Sequence, residues 1–487
     1  MFNPYSSGPS LTRRTALLGL GATAAVVASA SGGRARAQSR PDVIVLGAGL
    51  SGLHAARLLE ELGAKVQVLE ARHRPGGRVI TLDDVPGRPE AGATIIGGLY
   101  ARVLDTATAL KVPLETPPRF RPGHRATRLL NIGGHWIKHE DWAASPHNPF
   151  PAADKRLLPD LGMSHYATMD KVLSAPDDWL SPKNAKYDIP SYDFLKAKGL
   201  NEAALRLIDI ATFTNGIRRS SALHDMRVYH WLVSNLDEQI RGAKRVTGGM
   251  LRLPEAMAKS LASPVQYRKA AVGIRSDAQG VEVLCADDSV HRARFLVCSL
   301  PFSCVRQLAI DPLPTGRQAE AIEQLPYLRT VQIHLVPKRA FWEQDGMAPG
   351  AWTDSAIETV RAEANGEDGS ITSFAVDVTG QSADKFAFMS EQEIGAYVLR
   401  RLAEMRPSTK GALEVATIVN KQRDQFAAGD WHFWNAGQIT RFGREMRAPH
   451  ARIHFAGEHT AIANRGMEAA MESGERAAME IAERMGT

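Results

Sequence analysis

Three glycines, Gly47, Gly49 and Gly52, stand in the spacing GxGxxG with Ala48 and Ser51 between them, and Glu70 follows 18 residues after the last. Glycines so spaced let a chain turn tightly and bring its backbone against a pyrophosphate, an anion favoured by the free N–H groups and dipole of a following helix. A carboxylate at the end of the next strand accepts from ribose hydroxyls. The pattern points to a dinucleotide without separating NAD from FAD; a glycine turn with no ligand is the plain alternative. Just past Glu70, Ala71 and Arg72 lead into "HRPGGRV", where Gly76, Gly77 and Arg78 offer a second backbone-accessible, cationic approach to a diphosphate. Near the other end, Gly457 and Glu458 in "HFAGEHT" precede Gly466 and Met467 in "RGMEAAMESGERAA". A glycine at a helix mouth costs backbone entropy, so either the turn or something lying against that helix end requires Gly466.

The elements that must hold these residues follow from periodicity. Val43 to Leu46 is a continuous apolar run of the kind a buried parallel strand shows, Leu53, Ala56, Leu59 and Leu62 share one helix face, and Lys65 to Leu69 is a second strand. This is a βαβ unit. Val265 to Leu300 reads as a β-meander of short strands, ending in "ARFLVCSLP". From Met467 a helix turns Met467, Ala470, Met471, Ala478, Ile481 and Met485 inward, with Glu468, Glu472, Glu475, Glu480 and Glu483 largely off that face. The expected fold class is α/β, with a Rossmann-type dinucleotide-binding domain and its meander built from 41–118, 245–312 and 428–487. Segments 119–244 and 313–427 would form an inserted α+β substrate-binding domain, with 363–370 as a solvent loop.

At 487 residues and 44% hydrophobic content the chain can fill more than one core. The pI of 9.2 invites a polyanion partner. Residues 1–37, however, carry Arg13, Arg14, Arg34 and Arg36 and no acid, and without them the formal charge falls from +6 to +2. No nucleic-acid partner is implied. The same 37 residues read as a twin-arginine export signal: Arg13 and Arg14, a mild apolar run from Ala16 to Ala30, then an AxA cleavage site at Ala35 and Ala37. The run is too short and too rich in Gly and Ala for stable membrane insertion; a disordered basic N-terminus is the alternative. A periplasmic or secreted location is therefore expected, by a route that carries proteins already folded around a cofactor. Cys285, Cys298 and Cys304 show no CxxC spacing, and HExxH, GxxxxGK[ST] and GxSxG are absent, so neither a metal site nor a disulfide framework is expected.

Taken together, the GxGxxG with its acid, "RHRPGGRV", "EAGAT" at 90–94, the meander and the C-terminal "HFAGEHT" and "GMEAAMESGERAA" resemble the FAD-dependent amine oxidases, the monoamine and polyamine oxidase family. The resemblance spans the mature chain and implies that family's two-domain fold. By it, Glu70 holds the adenosine ribose, Arg78 with Gly76 and Gly77 the pyrophosphate, and Val272 offers its backbone to the adenine. Gly92, Ala93 and Thr94 lie near the flavin, Glu458 near the ribityl chain, and the amides around Met467 at the flavin pyrimidine.

Departures from the family bear on substrate and acceptor. Where many members place a lysine near flavin N5, this chain has Gln332, which implies slow reaction with O2 or another electron acceptor, such as a redox protein. Where monoamine oxidases attach FAD to a cysteine, it has Gly429, implying noncovalent FAD. Of the two rings that usually flank the substrate amine, Trp431 fits one position, with Asp430 and Phe433 as alternatives in register, while the other position is Gly466. "EAGATIIGG" lacks the arginine with which amino-acid oxidases grip a carboxylate, so an amine without an α-carboxylate is expected over a plain L-amino acid. The implied reaction is hydride transfer from the carbon next to a neutral amine to flavin N5, needing no protein base; His334, His432 and His459 are read as structural. A small-molecule amine and O2 or a redox protein are the expected partners, and a homodimer is compatible. A flavin-dependent carbon–carbon desaturase and a non-catalytic FAD-binding protein are the competing readings.

Overall fold

The computed structural model describes residues 40–117, 128–210, 212–234, 236–366 and 368–486; the expected export signal lies outside them. Strand β1 (Val43–Leu46) is wholly buried and is followed by helix α1 (Leu50–Glu61) and strand β2 (Val66–Leu69). Two strands from far along the chain, β3 (Phe295–Cys298) and β4 (Ile453–Phe455), complete a parallel sheet in the order β4-β3-β1-β2. The sequence reading placed "ARFLVCSLP" in the meander. Phe295–Cys298 instead lies beside β1, since four buried apolar residues in a row suit a strand covered on both faces. The meander proper is Ala271–Ser276, Val281–Cys285 and Val290–Ala293, joined by Ala309–Asp311 running parallel to the first.

A seven-stranded sheet draws every strand from 128–137 and 330–420. Its order is Leu413–Asn420, Thr330–Pro337, Ser373–Thr379, Thr359–Glu363, Gly350–Thr353, Arg128–Ile132, His135–Ile137. Val331, Ile333 and Leu335 pack outward against the helix Glu391–Met405, in one core with Ile394, Val398 and Leu402. The alternate residues face the other way: Val419, which is opposite Gln332 in register, meets Ile80 and Ala91 of the dinucleotide-binding segment. Helix α2 (Ala222–Val233) starts from Ser221, whose hydroxyl accepts the His224 N–H.

The C-terminal helix α3 (Gly466–Met485) lies across α1. The crossing is close because Gly474 has no side chain: a Cβ there would stand 2.3 Å from the Ser51 carbonyl oxygen. Ser51 and Ser473 hydroxyls meet at 3.1 Å, and Ser473 Oγ also accepts the Gly457 N–H at 2.9 Å. Two glutamates expected off the apolar face are not solvated. Glu468 is 1% exposed and binds Arg102 and the Val103 N–H, and Glu472 accepts from the backbone of Ile462, Ala463 and Asn464. Both hold chain segments that have no other partner for those N–H groups, a use that helical periodicity does not reveal.

Candidate functional site

A cavity of about 1000 Å³ runs from the β1–α1 turn to the wall made by α2 and the segment ahead of α3. At one end it is bounded by Gly47, Gly49, Ser51, Glu70, Ala71 and Arg72. Gly76, Gly77, Arg78, Val272, Gly457 and Glu458 continue that wall, and Gly92, Ala93, Thr94, Gly466 and Met467 carry it toward the middle. Ala48 and Gly52 act from behind it. The Ala48 N–H donates to Glu70 Oε2 at 2.7 Å, and a Cβ on Gly52 would meet the Gly47 carbonyl at 2.0 Å, so that glycine serves helix-to-strand packing.

The cavity fits a dinucleotide by its empty space. A Cβ on Gly49 would touch nothing within 4 Å, and one on Gly77 would find only the Gly49 Cα, at 3.6 Å. Two bare backbones therefore face open volume where a pyrophosphate has to approach. Glu70 Oε1 accepts from the Arg72 N–H at 2.8 Å, which with Ala48 leaves the carboxylate acceptor sites for hydroxyls. Arg72 itself is occupied by Asp424 through two bonds of 2.8 and 2.7 Å. Gly429 sits at φ 133°, and a Cβ there would come within 2.6 Å of the Tyr327 side chain, so the position has no room for a linking cysteine.

Glu458 ties the two ends of the chain together. It pairs with Arg78 at 2.9 Å and with His432 Nδ1 at 2.6 Å, and takes the His432 backbone N–H. Burial works against its charge, but His432 and Arg78 outweigh burial and hold the carboxyl well below its ordinary range. Burial also lowers the pKa of His432, with the Glu458 carboxylate opposing that shift.

The middle of the cavity is aromatic. Trp431 lines it and meets Phe213 edge to face at 5.3 Å, with the indole N–H donating to the Phe213 carbonyl at 3.4 Å. Tyr100 and Trp231 form a second edge-to-face pair at 5.6 Å. Gly466 lies at φ 61° and so is favoured by the turn itself; its Cβ would find only the Tyr100 hydroxyl, at 3.4 Å. Both accounts of Gly466 apply, and the ring nearest its vacant side comes from the far end of the chain. Burial pushes the Tyr100 phenol up to about 12, so it stays protonated.

Two expected residues lie elsewhere. Phe433 is 2% exposed and packs at 6.4 Å from His224 instead of lining the cavity, which Asp430, Trp431 and His432 do in succession. Gln332 is not among the lining residues: its Nε2 donates to Asp377 Oδ1 at 2.8 Å, and Arg361 binds the same carboxylate. The alternative register residue, Asp430, does line the cavity and is paired with buried Lys421 at 2.8 Å. The sequence reading missed Phe213, Tyr100, Trp231, Arg227 and Arg465. Arg465 stood inside a quoted motif, while the others belong to no motif. Among the described residues no cluster of His, Cys, Asp and Glu fit for a metal occurs, and no helix is long and apolar enough to cross a membrane.

The family model described as flavin containing amine oxidoreductase matches residues 50–482. Human amine oxidase [flavin-containing] B is 27% identical over 478 residues, covering 91% of this chain and 86% of its own length. The zebrafish (Danio rerio) amine oxidase [flavin-containing] is 24% identical over 468 residues, with the same two coverages. Cyclohexylamine oxidase from Brevibacterium oxydans IH-35A superposes with a TM-score of 0.76 at 20% identity, covering 92% of this chain and all of that one. Wild-type putrescine oxidase bound to putrescine gives 0.74 at 22%, covering 91% and 99%. With that pattern running through almost its whole length, this chain belongs to the flavin-containing amine oxidoreductases, enzymes that act on amines with FAD as cofactor.

Proposed function

We propose that the protein is exported and oxidises a primary or secondary amine to an imine, which water hydrolyses to an aldehyde or ketone plus ammonia or an amine. FAD held along the glycine cradle would supply the two-electron acceptor, at N5, for the hydride leaving the carbon next to the nitrogen, with O2, reduced to H2O2, or a redox protein as the final acceptor. The observation that carries this reading is one continuous cavity joining the paired bare glycines, Gly49 and Gly77, to the aromatic slot of Trp431 and Phe213.

The residues of this chain bind and orient. The rings of Trp431 and Phe213 flank the path of a flat or narrow substrate and exclude water from it. The N-terminus of α3 opens on the same space at Gly466 and Met467, where its free N–H groups favour negative charge. Such a slot suits an amine better than the broad polyene of a desaturase. Anaerobic mixing of the FAD-loaded protein with monoamines, polyamines, cyclic amines and amino acids should bleach the oxidised flavin absorbance for at least one class. Failure to bleach with any of them would sink the reading. Export rests on Arg13, Arg14 and the alanine-rich run that follows.

A further inference from the structure

Arg465 is the last residue before α3, and its backbone course is set by Glu472, which holds the N–H groups of Ile462, Ala463 and Asn464. Its guanidinium lies 5.2 Å from the Trp431 ring centre and 5.5 Å from that of Phe213, and it lines the cavity. Among the described residues no carboxylate comes within ion-pairing distance of it and no acceptor takes a hydrogen bond from it. Burial lowers its pKa, yet an arginine starts so high that it stays charged at neutral pH. A half-buried guanidinium stacked on two rings, whose nearby carboxylates Glu458 and Asp225 act on it only across space, has an unmet need for an anion.

A second arginine stands on the same wall. Arg227 of α2 also lines the cavity and donates only to the carbonyls of Ala461 and Asn464. The nearby carboxylates are all committed: Glu458 to Arg78 and His432, Asp430 to Lys421, and Asp225 to the Ser191 hydroxyl at 2.5 Å. This wall repels a polyamine, which would need free carboxylates here.

We propose that the substrate is an amine that also bears a carboxylate, and that Arg465 receives the carboxylate in a two-bond pair while the body of the substrate lies among the rings of Trp431, Phe213 and Tyr100. The proposal rests on the amine-oxidising reading and adds the substrate class. It reverses the expectation drawn from "EAGATIIGG": the gripping arginine is supplied by the turn into the C-terminal helix. The same positive charge disfavours the ammonium form of the substrate and so favours the neutral amine from which a hydride can leave.

The test is calorimetric titration of the FAD-loaded protein with 3-phenylpropionate and with its neutral isostere 3-phenylpropanamide. The carboxylate should bind about tenfold or more tightly than the amide. Arg465→Gln should abolish that preference while leaving amide affinity and melting temperature unchanged, and Arg465→Lys, which keeps charge but not the fork, should retain part of it. Equal affinities in the unmodified protein, or a carboxylate preference that survives Arg465→Gln, would overturn the proposal. Anaerobic bleaching by phenethylamine and by phenylalanine separates the two layers. If phenethylamine bleaches the flavin and the carboxylate binds no better than the amide, the amine oxidation stands and this proposal falls. If the carboxylate preference holds and depends on Arg465 but no amine bleaches, the anion site stands and the amine oxidation falls.

Discussion

Glu458 and Asp225 are both buried carboxyls, and their surroundings drive them in opposite directions. Glu458 is ionised because Arg78 and His432 meet it, so its folded pKa is depressed. The stability it contributes is fully present above the unfolded carboxyl value, about 4.3, and is lost as pH falls through the folded one. Glu458→Gln leaves Arg78 unpaired and should lower unfolding free energy by about 3 to 5 kcal/mol at pH 7. Denaturant titrations on either side of pH 4 check this, since the gap to the unmodified protein should shrink only in acid. Asp225 has its pKa raised by burial to about 7, with the Ser191 hydroxyl and the charge of Arg465 opposing the rise. The folded state then binds a proton that the unfolded state has released, so stability falls between about pH 4 and pH 7 by an amount on the order of 4 kcal/mol. Asp225→Asn should remove that slope and melt above the unmodified protein at pH 8; parallel pH profiles would refute the assignment. Residue types and spacing pointed to Glu70 and the GxGxxG glycines, and the family resemblance to Glu458; all of them line or back the cavity. The ionic partners of Glu458 were hidden because Arg78 and His432 come to it from 380 and 26 positions away.

At the scale of elements, α1 and α3 were legible because both carry a clean apolar stripe, and β1 because a buried parallel strand is apolar without interruption. The crossing of the two helices was not. It depends on Gly474, an ordinary small residue in the sequence whose absent side chain lets α3 reach the Ser51 backbone. Gly474→Val should force the helices apart, costing about 1 to 3 kcal/mol as overpacking. It should also weaken FAD retention, because the GxGxxG turn and the mouth of α3 move with their helices. A melting curve together with the flavin-to-protein absorbance ratio after gel filtration measures both, and a stability loss with full flavin content would separate the crossing from the site. Gln332 illustrates the limit of matching one strand by position alone. The family resemblance put it at the lysine position, but only the register opposite Asp377 shows that its Nε2 is committed there, while its buried Oε1 has no hydrogen-bond partner among the described residues.

For the whole molecule, most of the basic excess lies in residues 1–37, and the rest of the chain carries a formal charge of only +2. If that segment directs export, Arg13→Lys together with Arg14→Lys should retain the protein in the cytoplasm without changing its flavin spectrum; fractionation with immunodetection reads this directly, and unchanged export would remove the signal. The parallel sheet takes its strands from residues 43–46, 66–69, 295–298 and 453–455, and the cavity takes its walls from equally distant stretches. Local pattern could indicate which strands are buried on both faces, whereas the meeting of Phe213, Tyr100 and Arg465 depends on long-range closure and leaves no local trace.

The division of the glycine cradle between residues 47–77 and the turn at 457–467 also orders events in time. A ribosome must release nearly the entire polypeptide before the space for FAD exists, so flavin capture follows synthesis. Scarcity of riboflavin would then leave finished chains open along α1 and α3 and short of the stabilisation that bound FAD adds. Their survival depends on how soon a flavin arrives ahead of the cell's proteases.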